Sequence, residues 1–485
     1  VMPHQTSLGG DAFWLIYTAA SGQLIGLNAS GRSPYGLSLE TLRAKNLVEM
    51  PVRGPLPITV PGAVAGWDTA LASHGTMPLA RVLAPAIEYA ENGFPLNVEL
   101  VKAIAQYEDE LASFQSWRDT FLPQGRRPAV GERFRQPQLA QTLRLLAQDG
   151  VSTFYRGEIA QKIVDCVQRA GGMLAAQDLA EHYVEWVAPL STTYRGHTIY
   201  EMPPNSRGAI ALAALNILEG VEVASAGFQT AAMAHLLLEA YRLAAAQLEP
   251  ACSDPDFSGI GSAVLDRLIS KEFAGQLRSQ LALDQATPFA PETGTNTIYL
   301  AVVDGRGNAV SLIESSYYTF GSGLVVEEAG FVLQNRGGHF SLDPTSPNRL
   351  APHKRTLHTL MPAMAFRDGR PWLVFGSMGG TGQAQTQLQL LTNIIDFGLN
   401  VQQAIEAPRW VKGATLAGQL NDDLRIENRL PETTQRALTA MGYRLARLGD
   451  WSDRTGQAHA ILIDQAEHML HGAADPRSEG LAAGW

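Results

Sequence analysis

The residue best placed for covalent chemistry is a threonine. In G-T-N-T-I-Y-L-A-V-V-D, Thr297 is the first residue of a strand pattern and lies behind a Gly/Asn-rich turn. Threonine is common at strand starts, so this placement alone carries little weight. Its hydroxyl becomes a nucleophile only beside a base, and a free α-amino group on the same residue supplies that base once the preceding peptide bond has been cut. The pKa of such an amine, near neutrality, suits it to take the hydroxyl proton.

A second element could meet the negative charge that such an attack creates. Gly376-Ser377-Met378-Gly379-Gly380-Thr381-Gly382 joins a strand, P-W-L-V-F-G-S, to a helix with Leu388, Leu391 and Ile395 on one side. Backbone N–H groups converging at a helix start form an anion cradle. A nucleotide cradle would need G-x-G-x-x-G spacing or a Walker lysine, and the turn has neither. A purely structural turn is the simpler reading of the motif taken alone. No G-x-S-x-G elbow is present, which removes the α/β-hydrolase triad. His339, His353 and His358 cluster in sequence without sharing a helical face, and H-E-x-x-H is absent, so no metal site is expected.

These residues need a scaffold, and the chain can build one. With 485 residues, 45% hydrophobic and 17% charged, it reads as a soluble globular protein with a large core. A net charge of −10 without a basic stripe disfavours nucleic acid and anionic membranes and leaves a small molecule as the expected partner. Cys166 and Cys252, the only cysteines, allow at most one bridge and no cysteine-rich metal site. Gly208 to Gly220, the most apolar stretch, is too short to span a bilayer and reads as a buried helix. With no membrane span, a cytoplasmic location is expected. The chain opens on Val1 within a strand-and-turn pattern, so native residues are expected to precede it.

Helical periodicity dominates the first three-fifths. Helices are expected from Pro78 to Gly93, from Pro137 to a stop at Gly150 with Leu139, Leu143 and Leu146 on one face, and from about Thr230 to Leu248 with Met233, Leu237, Tyr241 and Ala244 in one stripe. Past Pro291 the pattern turns to strands, with hairpins around Asp304-Gly305 and Asp368-Gly369. Between them Asn335 to His358 reads as a long, functional loop rich in Gly, His and Arg. Strands covered by helices imply a layered α/β architecture.

Over nearly its whole length the sequence resembles the γ-glutamyltranspeptidase family. The blocks that carry the likeness run in family order: VPGAVAGWDTALASHGTMPLARVLAPAIEYAENGFP, RFRQPQLAQTLRLLAQDG, FYRGEIAQKIV, PLSTTYRGHTIYEMPPNSRGAIALAALNILEG, TIYLAVVDGRGNAVSLIES, FGSGLVVEEAGFVLQN, GSMGGTGQAQTQLQLLTNIIDFGLNVQQAIEAPRW and GAADPRS. The resemblance implies a mixed α/β (α+β) chain folded as a four-layer αββα sandwich of the N-terminal nucleophile hydrolase type. It implies self-cleavage between Asn296 and Thr297 into a large subunit, 1–296, and a small subunit, 297–485, that stay together as one αββα domain. Matching TIYLAVVDGRGNAV to the family's T-T-H-Y-S-V-V-D block makes Thr297 the nucleophile, with Thr295 the alternative. Gly379 and Gly380 become the oxyanion-hole glycines, and Ser315 stands where a threonine supports the nucleophile. No metal or organic cofactor is required, and the oligomeric state is left open, a homo-oligomer included.

The substrate-reading positions depart from the family. Its glutamyl-binding arginine falls opposite Ser30, with Arg32 close by; its asparagine falls opposite Tyr317, its ammonium-binding aspartate opposite His339, and its serine pair opposite His358 and Thr359. A γ-glutamyl ammonium would meet no counter-anion, which costs several kcal/mol in a closed pocket. A small anionic amide fits better, and in these departures the chain is similar to the subgroup of oxamate amidohydrolases of purine-nitrogen breakdown. Arg32, Arg336 and Arg349 are candidate carboxylate anchors, each equally readable as a solvated surface arginine. The competing readings are a γ-glutamyltransferase or glutathione hydrolase, an acylase for larger side-chain amides, and a catalytically silent binding protein. Intact Thr297, Gly379 and Gly380 argue against silence.

Overall fold

A computed structural model describes residues 2–287, 292–293, 297–415 and 422–485. The chain packs as two compact units interleaved in sequence: Val1–Ala12, Leu27–Glu185 and Glu314–Thr356 form the first, and Phe13–Gly26, Trp186–Ile313 and Leu357–Trp485 the second. Thr295 and Asn296 lie outside the described residues.

Eleven strands make the two larger sheets. They are β1 (Asp11–Thr18), β2 (Gln23–Ala29), β3 (Glu185–Val187), β4 (Leu190–Tyr194), β5 (His197–Glu201), β6 (Ile298–Val303), β7 (Ala309–Ser315), β8 (Ala363–Arg367), β9 (Arg370–Met378), β10 (Gln457–Asp464) and β11 (Met469–Ala473). The five-stranded sheet has the order β3-β2-β1-β7-β6, and the six-stranded sheet β11-β10-β9-β8-β5-β4. The six-stranded sheet is antiparallel throughout. Its β8–β9 hairpin closes through Asp368 and Gly369 at φ 52° and 75°, the two left-handed residues that a two-residue turn between twisted strands requires. The β6–β7 loop follows its sequence signature too: Gly307 takes φ 82° and the Asp304 side chain accepts the N–H of Arg306 and of Asn308, both at 2.9 Å.

Seven helices suffice to describe the rest: α1 (Ala63–His74), α2 (Leu79–Asn92), α3 (Pro137–Asp149), α4 (Glu158–Arg169), α5 (Gly208–Glu219), α6 (Ala231–Leu248) and α7 (Gln383–Ile395). In the first unit α2 packs along α3, and Leu83, Ala90, Leu143 and Leu146 join Ile159, Ile163 and Phe331 in one core. The α3 ends fall as its sequence directs, with Pro137 in the first turn and Gly150 at φ 80° closing the last. In the second unit α5, α6 and α7 pack on one another, α5 against β4 and β5 and α7 against β9, while β9 and β10 meet β6 of the other sheet. This gives the succession helices, sheet, sheet within that unit.

One expectation changes in detail. The α6 stripe widens to most of the helix circumference, Ala234, Leu238 and Ala245 being buried as well, because α5 and α7 both pack on it. Thr230 caps α6, its Oγ1 accepting the Met233 N–H at 3.1 Å. Cys166 and Cys252 are both buried thiols, not joined in a disulfide. Among the described residues no helix is long and apolar enough to cross a membrane.

Candidate active site

At the end of β9 the backbone enters a conformation that only glycine takes readily. Gly379 has φ 137° and Gly380 φ 56°. A Cβ on Gly379 would lie 3.2 Å from the Gly456 Cα, so the turn is also packed close from the side of the loop before β10. Gly382 N donates to Gly379 O at 3.0 Å, and α7 begins at the next residue. Three side chains next to this turn bury polar atoms that have no hydrogen-bond partner among the described residues: the Ser377 hydroxyl, the Gln383 amide and the Gln457 Nε2. Gln457 is paired across the sheet with Met378. Buried polar atoms are nearly always bonded, so these groups are ones to which a water or a ligand would be expected to bond.

Thr297 immediately precedes β6, is fully buried, and its Oγ1 also lacks a partner among the described residues. Tyr299 shares its face of the strand. The Tyr299 ring lies over Gly376, where a Cβ would come within 2.4 Å of the ring, so glycine at 376 is what lets β6 approach β9. The Tyr299 hydroxyl bonds Ser311 Oγ at 2.8 Å, which fixes the ring. The strand that follows Thr297 is therefore seated against the strand that ends in the glycine turn. His358 and Thr359 are buried in the same unit. The His358 ring stands 4.8 Å from that of Phe13, and its Nδ1 accepts the Leu360 N–H at 3.3 Å.

Behind the turn lies a buried ionic network. Arg477 donates to Glu427 Oε2 at 2.7 Å and to Asp475 Oδ1 at 3.1 Å; Arg409 pairs with Asp475 and donates to Gly456 O at 2.7 Å. Burial pushes both carboxyls up, yet the arginine charges and hydrogen bonds win and hold Glu427 and Asp475 below the usual carboxylate range. Depressed folded pKa values contribute stability that is fully present above the unfolded values, near 4, and is lost as pH falls through the folded ones. The thermal midpoint should therefore drop steeply below about pH 4, and Arg477→Met should be poorly folded near neutral pH, since it leaves the buried Glu427 without its main partner and Asp475 with Arg409 alone.

The remaining candidates lie in the first unit. Ser315 is buried and its Oγ accepts the Tyr317 N–H at 2.8 Å. Tyr317 is held at φ 77°, a sparsely populated conformation for a tyrosine. Its ring carries the Arg336 guanidinium 4.2 Å from the centroid on the one hand and the His339 ring at 4.3 Å on the other. Arg32 stacks on Tyr183 at 4.0 Å and pairs with Glu185 at 3.5 Å, a carboxylate that Arg355 shares. Arg32 and Arg336 are 3% and 0% exposed, which overturns their reading as solvated surface arginines. Arg349 is half-buried, and its carbonyl accepts the Lys354 ammonium at 2.9 Å. Ser30 bonds Asn28 at 2.7 Å. Burial pulls Arg336 down to about 10 and Arg355, with Arg32 beside it, to about 9. Both remain cations at neutral pH.

Two buried carboxyls of this unit escaped sequence reasoning. Asp11 accepts N–H groups of Gly31, Gly62 and Gln334 at 3.0, 3.2 and 2.9 Å, and burial raises it to about 6 against the lowering charge of Arg336. Glu314 takes Thr6 Oγ1 at 2.6 Å and Trp67 Nε1 at 2.9 Å, and burial raises it to about 7. Raised folded pKa values make ionisation costly, so each group removes stability as pH rises from about 4 to its folded value. Replacing Glu314 by Gln should flatten the fall in thermal midpoint between about pH 4 and pH 7. An unchanged slope would mean that the carboxyl ionises freely.

Among the described residues no cluster of three or more His, Cys, Asp or Glu could hold a metal ion. The family model for gamma-glutamyltranspeptidase matches residues 1–485. The chain belongs to the γ-glutamyltranspeptidase family. It is 40% identical to the glutathione hydrolase-like YwrD proenzyme of Bacillus subtilis and 38% identical to the oxamate amidohydrolase proenzyme of Klebsiella pneumoniae, in each case over 100% of this chain and 91% of the relative. Its fold matches the cephalosporin acylase of Bacillus halodurans with a TM-score of 0.91 at 39% identity, covering 100% of this chain and 88% of that one. The expected mixed helix-and-sheet fold of the N-terminal nucleophile hydrolases is thus the fold of this family member, and its activity is that of an amide C–N hydrolase.

Proposed function

We propose that the chain is a self-processing N-terminal-threonine amidohydrolase that cleaves a small, carboxylate-bearing amide, with oxamate the first choice. The observation that carries this reading is the buried Thr297 hydroxyl, without a hydrogen-bond partner among the described residues, at the head of a strand seated against the approach to the glycine turn. In the precursor that hydroxyl attacks the Asn296 carbonyl, the peptide bond shifts to an ester, and water releases residues 1–296 with a carboxylate end and 297–485 with a free Thr297 amine. Both compact units contain segments from each side of position 296, which supports products that stay together after the cut.

In the mature enzyme the Thr297 amine takes the hydroxyl proton as Oγ1 bonds to the substrate carbonyl carbon. The carbonyl oxygen becomes an oxyanion, and the Gly379 and Gly380 N–H groups stabilise it. Collapse breaks the C–N bond, and the amine returns the proton to the departing ammonia. Water, deprotonated by the same amine, then attacks the acyl-threonine ester and regenerates the hydroxyl.

The substrate assignment rests on charge. Arg336, buried against the Tyr317 ring, carries a planar guanidinium of the kind suited to a carboxylate, and Arg32 is a second such cation. Tyr317, His339, His358 and Thr359 replace the groups with which the family reads a glutamyl amino-acid end. The name of the Klebsiella relative fits this reading, whereas the Bacillus relatives suggest glutathione hydrolysis or side-chain acylation as the competitors. Ammonia release from oxamate and anilide release from a γ-glutamyl anilide, both on processed enzyme, decide the matter through kcat/KM. Oxamate is expected to be preferred by at least tenfold, the order of effect of one mismatched buried polar group. Preference for the γ-glutamyl compound would leave the nucleophile assignment intact and refute the substrate.

A further inference from the structure

The glycine turn is held from behind by an arginine that the chemistry above has not used. Arg207, the residue before α5, is 1% exposed. Its Nη1 donates to the Thr381 carbonyl at 3.2 Å and its Nη2 to the Tyr241 hydroxyl oxygen at 3.1 Å. The Tyr241 hydroxyl, from α6, donates to the same Thr381 carbonyl at 3.4 Å. Arg207 Nε and Nη2 also reach Glu249 Oε2 at 3.1 and 2.7 Å. Glu249 caps the end of α6 with its side chain 42% exposed, so the ion pair runs from the turn to the solvent. All four residues belong to the second unit.

Three of the four residues from Gly379 to Gly382 are glycines, and no side chain of theirs fixes the peptide planes. A flip of one plane would exchange an N–H for a carbonyl and turn a donor pair into a repulsive one. What prevents this is the commitment of the carbonyls. Gly379 O is taken by Gly382 N at 3.0 Å within the turn. Thr381 O is taken by a buried guanidinium, a charge-assisted bond of roughly twice the strength of a neutral one.

Resting on the reading of Thr297 and the glycine turn given above, we propose that Arg207 is a positioning residue for oxyanion stabilisation: it pins the Thr381 carbonyl and with it the Gly382 N–H of the same peptide plane, the donor that holds Gly379 O and so keeps the Gly380 N–H aimed at the reacting oxygen. Arg207 exchanges no proton and touches no substrate. Its contribution is therefore realised in the tetrahedral species and not in the ground state, so its loss lowers kcat and leaves KM nearly unchanged.

The test uses processed two-chain enzyme carrying Arg207→Met, Arg207→Lys or Glu249→Gln, with a carboxyalkyl boronic acid as the probe that forms a tetrahedral adduct. Sites are counted by the mass of the adduct on Thr297, and kcat is expressed per labelled site. For Arg207→Met, kcat and boronate affinity should fall together by on the order of 10²-fold, the usual effect of a displaced catalytic geometry. KM and the affinity for the product carboxylate should stay within about threefold, a change of under 1 kcal/mol. Arg207→Lys should recover at least about tenfold of that loss, because an ammonium can still meet one carbonyl. Glu249→Gln should change kcat by less than about threefold, because the Glu249 side chain is itself 42% exposed and its charge is screened by solvent.

A labelled Arg207→Met enzyme with wild-type kcat per site overturns the inference and leaves the Thr297 reading standing. Parallel loss of kcat and substrate affinity also overturns it, since that is what general loosening of the fold does. If Arg207→Met does not process, Arg207→Lys carries the test: its boronate affinity must then fall while product affinity holds, and equal losses in both overturn the inference. Failure of the boronate to modify Thr297 in the wild-type enzyme is a different result, one that sinks the proposed function itself.

Discussion

Thr297→Ala should yield one uncut chain of 52.3 kDa that releases no ammonia from any amide. One hydroxyl is assigned to both reactions, so both disappear together. The expected loss of turnover is on the order of 10⁶-fold, the size seen when the nucleophile of a concerted catalytic group is removed. Thr297→Ser keeps the hydroxyl and should still cleave, more slowly, because the lost methyl leaves the side chain less constrained in its buried position. Mass spectrometry of the purified chains reads both outcomes. If Thr297→Ala is processed and Thr295→Ala is not, the nucleophile has been placed two residues too late.

The second large effect belongs to the glycine turn. Gly380→Val must place a β-branched residue at φ 56° and a side chain where a substrate oxygen has to approach the backbone, and it should lose at least on the order of 10²-fold in kcat. The comparison with Gly380→Asn separates the two causes. Asparagine tolerates left-handed backbone, so it should keep the thermal midpoint of the wild type while still obstructing the approach. Full activity in a folded Gly380→Val protein would return the turn to a purely structural role.

Much of this fold is written locally. The hairpins at Asp368-Gly369 and at Gly305 to Gly307, the Pro137 start and Gly150 stop of α3, and the Thr230 cap of α6 all follow from the conformational preferences of the residues named. The strand that follows Thr297 and the glycine turn at Gly379 were legible because a strand start and a turn are also local. What was not legible is burial decided by distant partners. Arg32 and Arg355, more than 300 residues apart, lie side by side in a backbone bridge and share one carboxylate, and nothing near either residue announces it. The same holds for α7, where a helix that looked one-sided is buried all round. There Gln385 and Gln389 bond the backbone of Lys412 and Trp410, and Gln387 that of Met361. A hydrophobicity pattern scores glutamine as a solvent residue and cannot see that an amide has a carbonyl waiting for it. Arg207 escaped for this reason too, its partner Thr381 being 174 positions away.

The interleaving of the two compact units sets a direction on the life of the molecule. Before the cut, unfolding and refolding are events within one chain. After the proposed cut the same loss of structure would free two polypeptides, since each unit is assembled from segments on both sides of position 296. Recovery then requires two unfolded partners to find each other, a second-order process that competes with aggregation of both. The precursor should regain its structure after dilution from denaturant at a yield that does not depend on the rate of encounter, whereas the mature enzyme should denature once and not return. Its durability is then governed by the height of the unfolding barrier and no longer by an equilibrium.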